Sequence, residues 1–229
     1  MPEHVHVHAP HELTETEHGG SHARVSGRER IFEIGAVLLL SAATLGIAWS
    51  GYQAAKWSGI QARRYTQAST ARSLANRAST LAAQERTQDL LNFNRWLEVK
   101  TEGNVQLTEL YERRFRPEFR PAFDAWLAGD PLNNPNATPS PLLTKQYVLA
   151  DSVKADRLES LGDRRFEEGK TATENADDYV FVTVFFAAVL FFAGISLRFQ
   201  WFPMRVTILA IGAALLIYGL MKIASMPTL

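Results

Sequence analysis

The sequence predicts an all-α integral membrane protein with three transmembrane helices and a long extramembrane antiparallel helical hairpin. Three observations carry that reading. Residues 34–55, IGAVLLLSAATLGIAWSGYQAA, hold no charge, and at about 1.5 Å per residue they match a hydrocarbon core about 30 Å thick. Two further apolar stretches close the chain, at 179–197 and 205–224. Between them residues 56–178 are charged and rich in alanine, leucine, arginine, glutamine and glutamate, which all favour helix. The whole-chain averages, 46% hydrophobic, 21% charged and a net charge of zero, conceal this segregation.

Residues 1–30 form a polar tail, expected to be disordered, that contains all six histidines. His4, His6 and His8 alternate with valine, so an extended chain would set three imidazoles on one side, where they could share a zinc, nickel or copper ion. A tail offers little of the preorganisation that metal sites use, and Pro10, Gly19, Gly20 and Gly27 add to its freedom. The polar lead is long for a secretory signal, and the apolar run that follows is longer than a signal core, so 31–55 reads as an uncleaved anchor.

Within that anchor Ala42, Gly46, Ser50 and Ala54 recur every fourth position, and Ser58 and Ala62 continue the stripe beyond it. Small residues at that spacing let a neighbouring helix approach closely. Trp49, Tyr52 and Trp57 gather at the end of the span, where aromatic rings settle at lipid headgroups.

From Ser58 to Thr101 there is no proline and a single glycine, so the anchor is expected to run on as a stalk helix projecting on the order of 65 Å. Ile60, Gln67, Leu74, Leu81 and Gln88 form a seven-residue repeat and are the predicted seam, with Arg64, Ala71, Ala78 and Glu85 between them. Gly103 and Asn104 mark a break. A compact tip follows at 104–141, with Phe115, Phe119, Phe123, Trp126 and Leu127 as its aromatic and aliphatic bulk, and Pro117 and Pro121 as helix starters. The proline- and asparagine-rich stretch 129–141 reverses the chain.

The return helix is expected from Leu142 into the second anchor, with Val148, Ala155, Gly162, Gly169 and Ala176 as a small-residue seam against the outgoing helix. The turn RFQWFPM makes the last two anchors antiparallel neighbours, and Gly212 and Gly219 supply a close-approach face on the last. Arg24, Arg28, Arg30, Arg198 and Arg205 lie on one side of the membrane in this arrangement, which predicts a cytoplasmic N-terminus and a periplasmic or extracellular hairpin at 56–178.

The chemistry the sequence offers is sparse. It contains no phosphate-binding glycine loop, nucleophile elbow or metalloprotease helix, and no histidine after His22. Zero cysteines exclude disulfides and thiolate catalysis. The balanced charge argues against a nucleic-acid partner, since the arginines at 113–120 have acids nearby. Glu167, Glu168, Glu174, Asp177 and Asp178 make an acidic patch that reads either as a solvated face or as a divalent-cation site.

The segments WSGYQAAKWSGIQA, YERRFRPEFRPAFDAWLAGDPLNNPNA and DDYVFVTVFFAAVLFFAGISLRF together resemble a family of uncharacterised bacterial membrane proteins with three transmembrane helices. The resemblance covers most of residues 49–200 and implies a bacterial inner-membrane setting, with no catalytic residue or cofactor. The expected function is therefore a non-enzymatic scaffold or assembly module. Its expected partners are the lipid bilayer, further copies of itself through the small-residue faces, and a membrane or periplasmic protein. The alternatives are a subunit of a pore or transport complex, and metal binding by the histidine tail.

Overall fold

In a computed structural model, residues 27–229 are described, so His4, His6 and His8 lie outside the described residues. The described chain is helical, without a strand. Helix α1 (Gly27–Thr101) is one unbroken rod of 75 residues, about 110 Å long, and it is already helical at Gly27, within the stretch expected to be tail. Helix α2 (Val105–Arg114) follows a sharp turn in which Gly103 takes φ 77°, a conformation glycine adopts without penalty. Asn104 caps α2 by accepting a hydrogen bond from the Leu107 amide at 3.1 Å. Helix α3 (Arg120–Leu127) carries Pro121 in its first turn, where the missing amide is harmless.

The return helix starts later than expected. Residues 141–149 instead form a short 3-10 turn (Pro141–Leu143) and an irregular segment, and helix α4 runs from Ala150 to Ser196. Ser140 caps the 3-10 turn and the Thr144 hydroxyl donates back to the Pro141 carbonyl, so local side-chain bonds compete successfully with helix there. Val148, expected in the return seam, is consequently exposed and outside α4. Helix α5 (Phe202–Ser225) completes the chain.

Helices α1 and α4 pack antiparallel along their length. Gly46 meets Phe186, Tyr65 meets Gly169, and Ala68 meets Gly162, so one number falls as the other rises. The α1 side of this seam is Ala68, Ala71, Ala75, Ala78 and Ala82, ending at Asp89. Leu74 and Leu81, expected in the seam, are 43% and 49% exposed instead, and Gln67 and Gln88 are exposed with them. The reason lies on α4. Its contact positions are Ala155, Gly162, Gly169, Ala172 and Ala176, which draw the axes so close that only alanine fits between them. Leucines are displaced to the flank.

Three helices, α1, α4 and α5, contain segments long and apolar enough to cross a membrane. They meet around Phe186, which is fully buried between Gly46 on α1 and Gly219 on α5. A Cβ at either glycine would stand 2.7 or 2.8 Å from the ring, closer than carbon atoms approach. The outward faces carry Leu38, Leu45, Val184, Phe191, Ile217 and Met221, all exposed, as helices that face lipid do. At the other end a second core joins Phe115, Phe119, Phe123 and Trp126 to Phe93 and Trp96 of α1. Leu127, expected among them, is 41% exposed.

Candidate functional site

The described part of the chain brings its polar side chains together most completely at the tip. The aromatic core there is built from ring edges on ring faces: Trp96 stands at 85° to Phe123 with centroids 4.9 Å apart, and Phe93 at 90° to Trp126 at 5.0 Å. Both indole N–H groups are satisfied, Trp96 by the Glu112 carboxylate at 3.0 Å and Trp126 by the Thr138 carbonyl at 2.7 Å. The second bond ties the reversing loop to α3.

Beneath this core lies Asp89, only 1% exposed. It occupies the seam position one heptad beyond Ala82. A carboxylate removed from water loses several kcal/mol of hydration unless charge and hydrogen bonds replace it. Arg116 supplies a fork, its Nε donating to Oδ1 at 3.1 Å and its Nη2 to Oδ2 at 3.3 Å, and the Tyr147 hydroxyl donates to Oδ2 at 3.1 Å. The remaining guanidinium nitrogen reaches Glu85 at 2.6 Å, one turn back along α1. Three separate stretches are thereby held at one point: α1, the link between α2 and α3, and the segment ahead of α4.

Burial lowers the Arg116 pKa, but the hydrogen bonds to Asp89 and Glu85 outweigh it and leave the guanidinium above its ordinary value. Tyr147 is pushed up from the usual phenol range, first by burial and then by the neighbouring Asp89 carboxylate, which repels a phenolate. A raised pKa in the folded chain means that this group's contribution to stability is complete below the ordinary value of about 10 and is lost as pH rises through the raised one. Alkaline titration followed by phenolate absorbance should therefore show the wild type and Tyr147→Phe ionising identically near pH ~10. A wild-type excess of one phenolate in that range would mean that the hydroxyl is not held.

Chemically the cluster is saturated. Both Asp89 oxygens accept hydrogen bonds from side chains that are themselves engaged, an arrangement suited to holding segments together. The sequence reading did not single out Asp89 or Tyr147, and it saw Arg116 only as one of a basic run. The signal was present: Asp89 is an acid set in the register of Ala68, Ala75 and Ala82, with Glu85 four residues before it.

The predicted packing residues are distributed as follows. Gly46, Ser50 and Ala54 are buried against the other helices and Ala42 is half-buried, while Ser58 and Ala62 are exposed. A four-residue step overshoots a full turn by about 40°, so the stripe rotates off the contact face. The Ser50 hydroxyl is buried without a hydrogen-bond partner among the described residues. Ala155, Gly162 and Gly169 face α1, where Gly169 lies under the Tyr65 ring and Gly162 against Arg72 and Ala68. Gly212 packs on Phe192 and Val189, and Gly219 on Phe186. These contacts all lie within one chain.

A second polar centre, absent from the sequence reading, closes the bundle where α1 leaves it. Gln53, fully buried, pairs through its amide with the backbone of Leu229, accepting from the nitrogen at 3.2 Å and donating to the main-chain oxygen at 3.3 Å. Trp57 and Tyr179 both donate to the Pro227 carbonyl, at 3.1 and 3.2 Å. The acidic patch is dispersed: Glu168 pairs with Arg64 and Arg165, and Asp178 faces Lys222 at 3.7 Å. Among the described residues no three histidine or acidic side chains converge as metal ligands would.

Compared with models of known protein families, with curated proteins and with solved structures, the chain matches none.

Proposed function

We propose that this protein is a non-enzymatic membrane-anchored scaffold, homo-oligomeric, that carries an interaction tip at a fixed distance from the bilayer. The observation that carries the reading is the continuity of α1, which passes without a break from an apolar span into the stalk, with α4 beside it as far as Ala82 and the tip beyond. Displacement of the tip is then transmitted to the span as motion of one rod. The Asp89 cluster supports the same reading, because its groups are spent on fastening the tip to that rod. A bacterial inner-membrane setting is part of the same proposal, consistent with three helices apolar enough to cross a bilayer. The arginines around the N-terminal end of α1 and the turn before α5 favour a cytoplasmic N-terminus with 56–178 periplasmic.

Light scattering on the detergent-purified protein, corrected for bound detergent, should give a mass of two or more chains, and liposomes containing it should remain tight to small ions. A single-chain mass together with ion flux that scales with protein content would replace the scaffold with a pore-forming role.

A further inference from the structure

We propose that the end of the bundle where α1 and α5 begin binds the headgroup of an anionic phospholipid, with Arg28 and Arg205 holding its phosphate and Arg198 beside them. The proposal requires the three apolar segments to lie in a bilayer. It requires neither the scaffold reading nor any number of copies.

Helices α1 and α5 run parallel and touch near their N-terminal ends. The Phe32 ring stands edge-on to Phe202 with centroids 5.0 Å apart, and Gly35 lies against Leu209. Those two contacts fix which arginines converge. Arg28 precedes Phe32 by four positions and Gly35 by seven, so it continues the face of α1 that meets α5. On α5, Phe202, Arg205 and Leu209 follow at three- and four-residue steps, which sets Arg205 between the two contacts on the face that meets α1, where it is half-buried. Arg198 is exposed in the short turn joining α4 to α5. Arg30 lies two positions from both Arg28 and Phe32, about 200° around α1, and so occupies the opposite face.

No ion pair joins any of these arginines to a carboxylate among the described residues. The other end of the spans differs, because there Lys222 faces Asp178 at 3.7 Å and Arg64 pairs with Glu168 at 3.0 Å. The chain supplies counter-charge at one end and leaves it to be supplied at the other. Guanidinium groups on facing helices repel one another unless an anion is placed among them, and a phosphate matches their donor geometry. At the end of the apolar segments the phosphate at hand is that of a lipid. Trp201, 78% exposed, stands at the same level with Phe202 and Met204, as residues that settle among headgroups do. Phosphatidylglycerol fits by charge, whereas the choline of phosphatidylcholine already neutralises its own phosphate.

The test offers the detergent-purified full chain an equimolar mixture of phosphatidylglycerol and phosphatidylcholine with the same acyl chains, and reads bound lipid by native mass spectrometry. The wild type should retain phosphatidylglycerol several-fold over phosphatidylcholine, and Arg28→Gln and Arg205→Gln should each lower that preference several-fold. Arg30→Gln makes the same change of net charge at the same end and should leave the preference near wild type. Equal retention of the two lipids by the wild type would overturn the proposal. So would an Arg30→Gln loss as large as that of Arg28→Gln, which would show diffuse attraction rather than a site. Arg205→Lys keeps the charge and should keep most of the preference; a loss equal to that of Arg205→Gln would assign the effect to packing and overturn the role of Arg205. The same spectra count the chains in each particle, so the oligomeric reading stands or falls separately.

Discussion

Replacing Arg116 with methionine is expected to destabilise the tip by about 3–5 kcal/mol, because it strands the Asp89 carboxylate in a site from which water is excluded. Methionine keeps much of the aliphatic volume, so the loss reports the charge rather than a hole. Asp89→Leu combined with Arg116→Met should recover a large part of it, since the double variant buries no unpaired charge. The readout is denaturant unfolding followed by tryptophan emission, because Trp96 and Trp126 sit in the core directly above the cluster. Glu85 is the internal control. It is 32% exposed, and Glu85→Gln should cost less than about 1 kcal/mol. A single Arg116 variant that unfolds with the wild type would show that the tip does not depend on this pair.

The second large effect is expected at Phe186. Its ring is the common contact of α1, α4 and α5, and Phe186→Ala should lower stability by about 3–5 kcal/mol through loss of packing and the cavity left behind. Gly46→Leu attacks the same contact by excess volume and should cost about 1–3 kcal/mol. The two changes should be non-additive. A leucine at 46 can enter the space vacated at 186, so the double variant should be more stable than the sum of the single losses. Thermal unfolding in one fixed detergent measures all three. Strict additivity would mean that the ring and the glycine do not share a space.

Much of the architecture follows from local features. A run of 75 residues without proline forms one helix, Asn104 stops and restarts it, and the phenylalanines at 115, 119 and 123 recur at helical spacing and become a core. The seam on α4 was also legible from Ala155 to Ala176, because glycine and alanine at every seventh position have few uses other than close packing. On α1 the reading was half right: Ala71 and Ala78 of the intervening set are in the seam, whereas Leu74 and Leu81 are not. Leucine outranks alanine as a buried residue in general, and its exclusion here depends on an interaxial distance set by glycines roughly ninety positions away.

The polar cluster illustrates the same limit. Asp89, Arg116 and Tyr147 are separated by 27 and 58 positions, and Gln53 finds its partner 176 positions away. Charge or amide character alone does not state a partner. It states only that, once buried, the group must have one.

The sequence by itself therefore determined the helical class, the three apolar segments, the break at 103–104 and the aromatic tip, because these rest on propensity, length and periodicity along the chain. Only the tertiary structure decided which face of α1 is inside, that Phe186 stands between two glycines, and that one carboxylate fastens three segments. Those outcomes depend on the distance and angle at which helices meet, and a pattern along one helix carries that information only when its partner is known.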